Sequence, residues 1–192
     1  MSRELAESLN LDLAWRRILF DRPERVFVSH PYLFELIELD LPDWLARLKQ
    51  RIIEGYSPSS CLAVNVPKTD WQVRPGGYLR LDDEVLYAAL IGSCYERVCQ
   101  SLRWSQGDPD IAYQLPVGAE NVDWVRRGFL IWREWREKSI ERIHRGAGFV
   151  LFSDISGFYE NIDLGRLASD LSRMHLNDEA GALLSSCLHR WA

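Results

Sequence analysis

The chain is short of the residues that build thiolate metal sites and disulfide frameworks. It holds four cysteines and four histidines in 192 residues. Cys61, Cys94, Cys99 and Cys187 form no CxxC pair, and Cys94 and Cys99, five apart, have no second Cys or His pair to complete a zinc site. Reduced, buried thiols are therefore expected. Long apolar runs are missing too: no stretch approaches the ~20 residues that a membrane span needs. The opening, MSRELAESLNLDLAWRR, has acidic residues early and no apolar centre, so no signal peptide is expected there. A soluble cytoplasmic protein with no membrane partner is the expectation. Internal repeats and low-complexity segments are absent. Positive charge is in deficit, at 23 Lys and Arg against 28 Asp and Glu. Nucleic-acid binding would therefore need a local patch rather than the charge of the whole chain.

What is present is apolar residues, at 47%, enough for a packed core. Residues 10–20, NLDLAWRRILF, read as an amphipathic helix with Asn10 as N-cap and Leu11, Ala14, Trp15, Ile18 and Leu19 on one face. DRPERVFVSHP reads as turn, short strand, turn. DLPDWLARLKQRIIEG predicts a helix with Pro42 in its first turn, a stripe of Leu45, Leu48, Ile52 and Ile53, and Gly55 at its end. CLAVNVPK and GYLRL alternate like strands, with a turn near Thr69-Asp70. DDEVLYAALIGSCYERVCQSL predicts a helix with Asp82 or Asp83 near its cap. RWSQGDPDIAYQLPVGAEN is loop-like.

The segment from Val122 to Gly148 predicts a long helix ending at Gly146. It carries seven Lys and Arg against four Asp and Glu. Glu134–Lys138 and Glu141–Arg145 are i,i+4 pairs, so the face is either a solvated, salt-bridged surface or one turned to nucleic acid. Trp124, Trp132 and Trp135 at helical spacing favour core positions over base stacking. GFVLFS, almost wholly apolar, predicts a strand covered on both faces. LGRLASDLSRMHL and DEAGALLSSCLHRWA predict two closing helices.

That apolar strand stops on Asp154. A carboxylate at the rim of a sheet can hold Mg²⁺, which takes one or two carboxylates plus phosphate oxygens and water. The carbonyl of Ile155 would add a hard oxygen ligand. The alternative is an Asx-turn with no ligand.

The run FSDISGFYENIDLGRLASDL resembles the first palm motif of reverse transcriptases, in particular the bacterial group II intron, retron and phage-defence kinds. VPKTDWQVRPGGYLRLDDEVLYAAL is similar to their fingers motifs, and LPDWLARLKQRIIEGYSPSSCLAVNVPK to the lead-in. The resemblance runs from about Asp40 to the last residue and implies an α+β fold, helix-rich with small antiparallel sheets. It divides the chain into an N-terminal helical segment (1–56), fingers (57–147) and the start of a palm (148–192). It implies an RNA-directed DNA polymerase that takes dNTPs, an RNA template and a DNA product.

By the same resemblance, Asp154 is catalytic and holds two Mg²⁺ about 3.5–4 Å apart, with Ile155 beside it. Lys68 and Arg74 contact the triphosphate, a point charge and a planar fork. Tyr159 lies under the sugar and rejects a 2′-hydroxyl, while Phe158 beside it packs mainly into the core. Asn161 and Asp163 cap the following helix. Among the subfamilies, phage defence is expected over intron mobility.

Two departures stand out. The sequence has no Tyr-x-Asp-Asp pair and no Gly-x-x-x-Gly-type template segment after Tyr159. RPGG also replaces the commoner Arg-Pro-Leu, which should loosen the strand. A fragment of a longer polymerase is expected, inactive alone and completed by further palm and thumb in the same or another chain. Two rivals remain. VLFSDISGFYENID also resembles the opening of class III nucleotidyl cyclases. The Trp- and Arg-rich helix suits a non-catalytic RNA-binding or scaffold module.

Overall fold

A computed structural model describes residues 3–22, 32–67, 73–103, 120–123, 128–151, 153, 157–158, 161–174 and 178–192. The architecture is helix-rich with one small antiparallel sheet among the described residues. Helices α1 (Arg3–Ser8), α2 (Leu11–Asp21), α3 (Leu33–Glu38) and α4 (Leu41–Gly55) come first. Strands β1 (Leu62–Pro67) and β2 (Val73–Tyr78) then form a hairpin. Helices α5 (Leu81–Arg103), α6 (Gly128–His144), α7 (Leu164–Arg173) and α8 (Glu179–Trp191) complete the order. No helix among the described residues is long and apolar enough to cross a membrane.

Helix starts follow side-chain chemistry. Asn10 Oδ1 accepts from the Leu13 amide at 2.9 Å, and the expected stripe of α2 is buried apart from half-buried Leu19. Asp163 accepts from the Arg166 amide at 2.9 Å and so caps α7 as expected. Asp178 accepts from the Gly181 amide at 3.0 Å to cap α8 and also takes a 2.9 Å ion pair from Arg97 of α5. Each such acceptor satisfies an amide that the helix itself leaves unpaired. Gly55 ends α4 at φ +106°, and Gly146 follows α6 at φ +100°, conformations that favour glycine. At the end of α6, Gly146 donates to the Ile143 carbonyl and Ala147 to that of Arg142, a Schellman closure.

The core gathers around α5. Helices α2 and α8 pack against it, α1 and α3 against α4, and α7 against α8. Trp15, only 1% exposed, stands at the centre, with ring centroids 5.8 Å from Phe34 and 5.6 Å from Trp44. Trp191 meets Tyr87 edge-on at 5.7 Å and seats α8 on α5. One buried cluster includes Leu5, Trp15, Ile52, Leu86 and Leu184. It therefore draws on residues from the N-terminal segment, the middle of the chain and its last helix.

Several expectations change. The second strand is Val73–Tyr78 rather than 77–81, and it runs through RPGG with Val66 opposite Arg74 and Asn65 opposite Pro75. Proline is tolerated because a two-stranded sheet consists of edge strands only. The glycines serve close approach: a Cβ on Gly76 would meet Val66 Cγ2 at 2.7 Å, and one on Gly77 would meet Cys61 Sγ at 2.6 Å. RPGG thus sits within the pairing it was expected to loosen. Residues 120–123 are not helical, so the helix predicted from Val122 starts later.

The described residues of GFVLFS do not form a covered strand. Residues 148–151 and 153 pair with nothing among the described residues, and Phe149 and Leu151 are 98% and 92% exposed. An apolar strand is buried only when neighbouring strands and helices cover it, and the described residues provide none there. The expected strand at residues 25–28 lies outside the described residues, as do most of the expected loop (104–119) and Trp124.

Candidate functional site

The β1–β2 hairpin presents Arg74 to solvent at the end of β2 nearest the connecting segment. Of the other expected site residues, Lys68, Asp154, Ile155 and Tyr159 lie outside the described residues. Phe158 is described and is 51% exposed, so it is not the core residue expected. It sits in a turn beside Gly157, whose φ of +61° lies in the left-handed region that favours glycine. Asn161 Nδ2 donates to the Gly157 carbonyl at 2.7 Å, so this side chain closes the turn rather than capping α7. Among the described residues no group of three or more His, Cys, Asp or Glu is disposed to hold a metal ion. The Mg²⁺ expectation therefore rests on Asp154 and Ile155 in the sequence, and no metal-dependent step follows from the described geometry.

The base of the hairpin is anchored by two adjacent carboxylates in the first turn of α5. Asp83 is fully buried; its Oδ1 accepts from Tyr56 Oη at 2.8 Å and its Oδ2 from the Ser59 amide at 3.2 Å. Burial, reinforced by the charge of Asp82, pushes the Asp83 carboxyl above its ordinary range despite these donors. Tyr56 is driven up as well, by burial first and then by its bond to Asp83. Asp82 goes the other way. Burial opposes ionisation there, but Arg51 Nη1 at 2.6 Å and Arg80 Nε at 3.3 Å together hold its carboxyl below the usual range. The two aspartates expected near a cap are in fact the bolts between α4, the segment before β1, and α5.

The same corner opens a cleft of about 570 Å³ between α3, α4 and the end of β2. Its lining combines Trp44, Arg47 and Arg51 from α4 with Tyr78, Arg80 and Asp82 from the opposite side. Ile37 and Leu48 supply an apolar floor. Trp44, Arg47, Leu48 and Arg51 recur at three- and four-residue steps, the spacing of one helix face. That recurrence was the available signal for a shared wall, whereas the opposite wall depends on tertiary folding.

On α2, Arg17 is only 2% exposed and donates from Nε and Nη2 to the Asn121 carbonyl at 3.1 and 3.0 Å. Burial pulls its guanidinium below the ordinary value, while Tyr95 and Glu120 oppose the shift. Its place four residues after buried Leu13 was the only hint that it faces inward. The four cysteines are free. Burial, helped by the Asp83 charge, pushes the Cys187 thiol up to about 12.

On α6 the i,i+4 pairs form as expected, Lys138–Glu134 at 3.3 Å and Arg145–Glu141 at 2.5 Å. The tryptophans do not go to the core: Trp132 and Trp135 are 53% and 47% exposed, and the Arg136 guanidinium lies 5.8 Å from the Trp132 ring centroid.

No protein-family model matches this chain, and no curated protein or solved structure matches it.

Proposed function

We propose that this chain supplies the fingers and the opening of the palm of an RNA-directed DNA polymerase of the bacterial, phage-defence kind, working in the cytoplasm. The division into segment 1–56, fingers 57–147 and palm start 148–192 belongs to this reading. The observation that carries it is the antiparallel hairpin that offers Arg74 to solvent and leads at once into α5. A short hairpin bolted at its base through Asp82 and Asp83 suits a lid over a triphosphate. Arg74 offers a planar fork to phosphate oxygens, and Lys68, in the connection between the strands, adds a point charge. Asp154 and the Ile155 carbonyl would hold Mg²⁺, which supplies charge neutralisation for phosphoryl transfer when bound. Tyr159 would judge the sugar, and the exposed ring of Phe158 beside it would border the nucleotide.

The experiment has two parts. With Mg²⁺ and dTTP, the purified chain should bind nucleotide, and Arg74→Ala should weaken binding about tenfold, the effect of losing one charge-assisted hydrogen bond. With an RNA template and DNA primer, the chain should extend nothing, because without the Tyr-x-Asp-Asp carboxylates Asp154 alone cannot complete a two-metal site. Primer extension by this chain would refute its being inactive alone, and dTTP binding indifferent to Arg74 would remove the reading.

Exposed Trp132 and Trp135 favour a second reading, a single-strand RNA-binding surface on α6. Aromatic rings three residues apart beside arginines offer stacking platforms for bases. Salt-sensitive binding of a short RNA, lost in Trp132→Ala/Trp135→Ala and kept in Asp154→Ala, would select it.

A further inference from the structure

The cleft beside α4 belongs to neither reading. Its back wall is Asp82, 8% exposed, with one guanidinium on each carboxylate oxygen: Arg51 on Oδ2 and Arg80 on Oδ1. Two cations therefore share one anion and stand close together. Asp82 fixes both, and the Arg51 guanidinium also lies 4.8 Å from the Tyr56 ring centroid. Arg51 is thereby pre-organised, which lowers the ordering cost of binding a second anion, while Arg80, 69% exposed, is held more loosely at 3.3 Å. Arg47 lines the same cleft, paired with Asp43 in an exposed contact of the kind worth little in water.

The rest of the lining is not anion chemistry. Trp44, Tyr78, Ile37 and Leu48 make an apolar and aromatic surface beside the arginine pair. An inorganic anion would leave that surface wet. A purely apolar ligand would strip water from two guanidiniums and return no hydrogen bond. The volume, about 570 Å³, falls in the range of small-molecule sites. The occupant that satisfies both halves is flat and weakly polar at one end and carries phosphates at the other.

We propose that this cleft binds a nucleoside phosphate, its base on the aromatic and apolar lining and its phosphates at Arg51 and Arg80. The shared chemistry can come from a free nucleotide or from one residue of a single nucleic-acid strand. Tyr78 shares the Arg74 face of β2 but lies four residues further on, roughly 13 Å along the strand, so distance sets the site apart from Arg74, and it does not depend on the polymerase reading.

The test titrates the purified chain in EDTA with ATP, adenosine, inorganic tripolyphosphate and an unstructured 12-nucleotide RNA. Chelation removes metal-dependent binding at the hairpin. ATP should bind saturably, with adenosine and tripolyphosphate each at least about tenfold weaker, since each keeps half of the contacts. Arg80→Gln, at an exposed side chain, should weaken ATP about tenfold with an unchanged melting temperature, whereas Arg74→Ala should leave ATP binding intact. RNA displacing ATP at lower concentration than ATP itself assigns the strand as source; RNA no better than ATP assigns the free nucleotide. The proposal is overturned if neither ATP nor RNA binds below about 1 mM, if Arg80→Gln changes nothing, or if tripolyphosphate binds as well as ATP. Failure of the polymerase reading shows elsewhere, as dTTP binding in Mg²⁺ that ignores Arg74.

Discussion

The hydroxyl of Tyr56 donates to Asp83 Oδ1 at 2.8 Å, joining the residue just after α4 to the first turn of α5 across 27 positions. The acceptor is fully buried, so it has few alternative donors. Tyr56→Phe should cost about 1–3 kcal/mol at pH 7, the penalty for under-satisfying a buried charged acceptor. The cost should also depend on pH. Asp83 already has a raised folded-state value, so its ionised form opposes folding above the unfolded pKa. Removing the donor raises the folded value further, so the penalty should grow from pH 4 to pH 7. Urea unfolding of both proteins at the two pH values measures it. An equal loss at both would mean that the hydroxyl does not serve the ionised carboxylate.

Asp82 should show the opposite sign. Its folded value is depressed by Arg51 and Arg80 acting against burial. It therefore contributes stability above its unfolded pKa, and that contribution fades as pH falls through the lower folded value. Asp82→Asn should destabilise the chain at neutral pH and make little difference well below the ordinary carboxylate range. The difference in urea midpoint between wild type and variant, followed across acid pH, is the readout. A variant deficit that stays constant into strong acid would place the role of Asp82 in packing rather than in charge.

Gly92 and Arg17 form a second coupled pair. A Cβ on Gly92 would meet Arg17 Nη1 at 2.8 Å. In an open helix Gly→Ala gains up to about 1 kcal/mol. Here the guanidinium is buried and tied to the Asn121 carbonyl, so the methyl must push a pinned group. Gly92→Ala should therefore destabilise by about 1–3 kcal/mol, the usual range for overpacking. In an Arg17→Met background the same change should become neutral or favourable. A double-mutant cycle in urea tests this; additive effects would show that the two residues are not in contact.

How legible the fold was depends on how local its causes are. Asn10, Pro42, Gly55, Gly146 and Asp163 act on their own helices, and reading them in sequence placed those helix ends. The register of β2 was missed because alternation in GYLRL looks like a strand, while RPGG looks like a turn. What decides the pairing is the room that Gly76 and Gly77 leave for Val66 and Cys61, a cross-strand relation. Little in the sequence singles out Arg17, and Asp83 reads only as a residue near a helix cap, because it is tertiary partners that make their burial tolerable. Helices α1 and α3, six residues each, are too short to carry a readable period. Of the site, Arg74 alone among the expected ligand-contacting polar residues lies within the described residues. The cleft at Arg51 and Arg80 went unread because its two walls are 29 positions apart and meet only through tertiary folding.

Residues 149–151 make the last case, because sequence and structure disagree about them most sharply. Phe-Val-Leu followed by Phe reads as a strand buried on both faces, and truncating such residues costs roughly 2–5 kcal/mol each. In the structure Phe149, Val150 and Leu151 are all exposed, and no strand pairs with them among the described residues. Exposed positions without partners usually tolerate substitution within about 0.5 kcal/mol. Phe149→Ser and Leu151→Ser, singly and together, should therefore leave the urea midpoint of this chain unchanged. They should also raise its solubility, because a short apolar run with free backbone groups is a template for pairing between copies. Sedimentation at rising protein concentration checks the second effect, with less self-association expected in the double variant. A clear loss of stability in either single variant would mean that the segment is packed in solution, and the covered strand read from the sequence would stand after all.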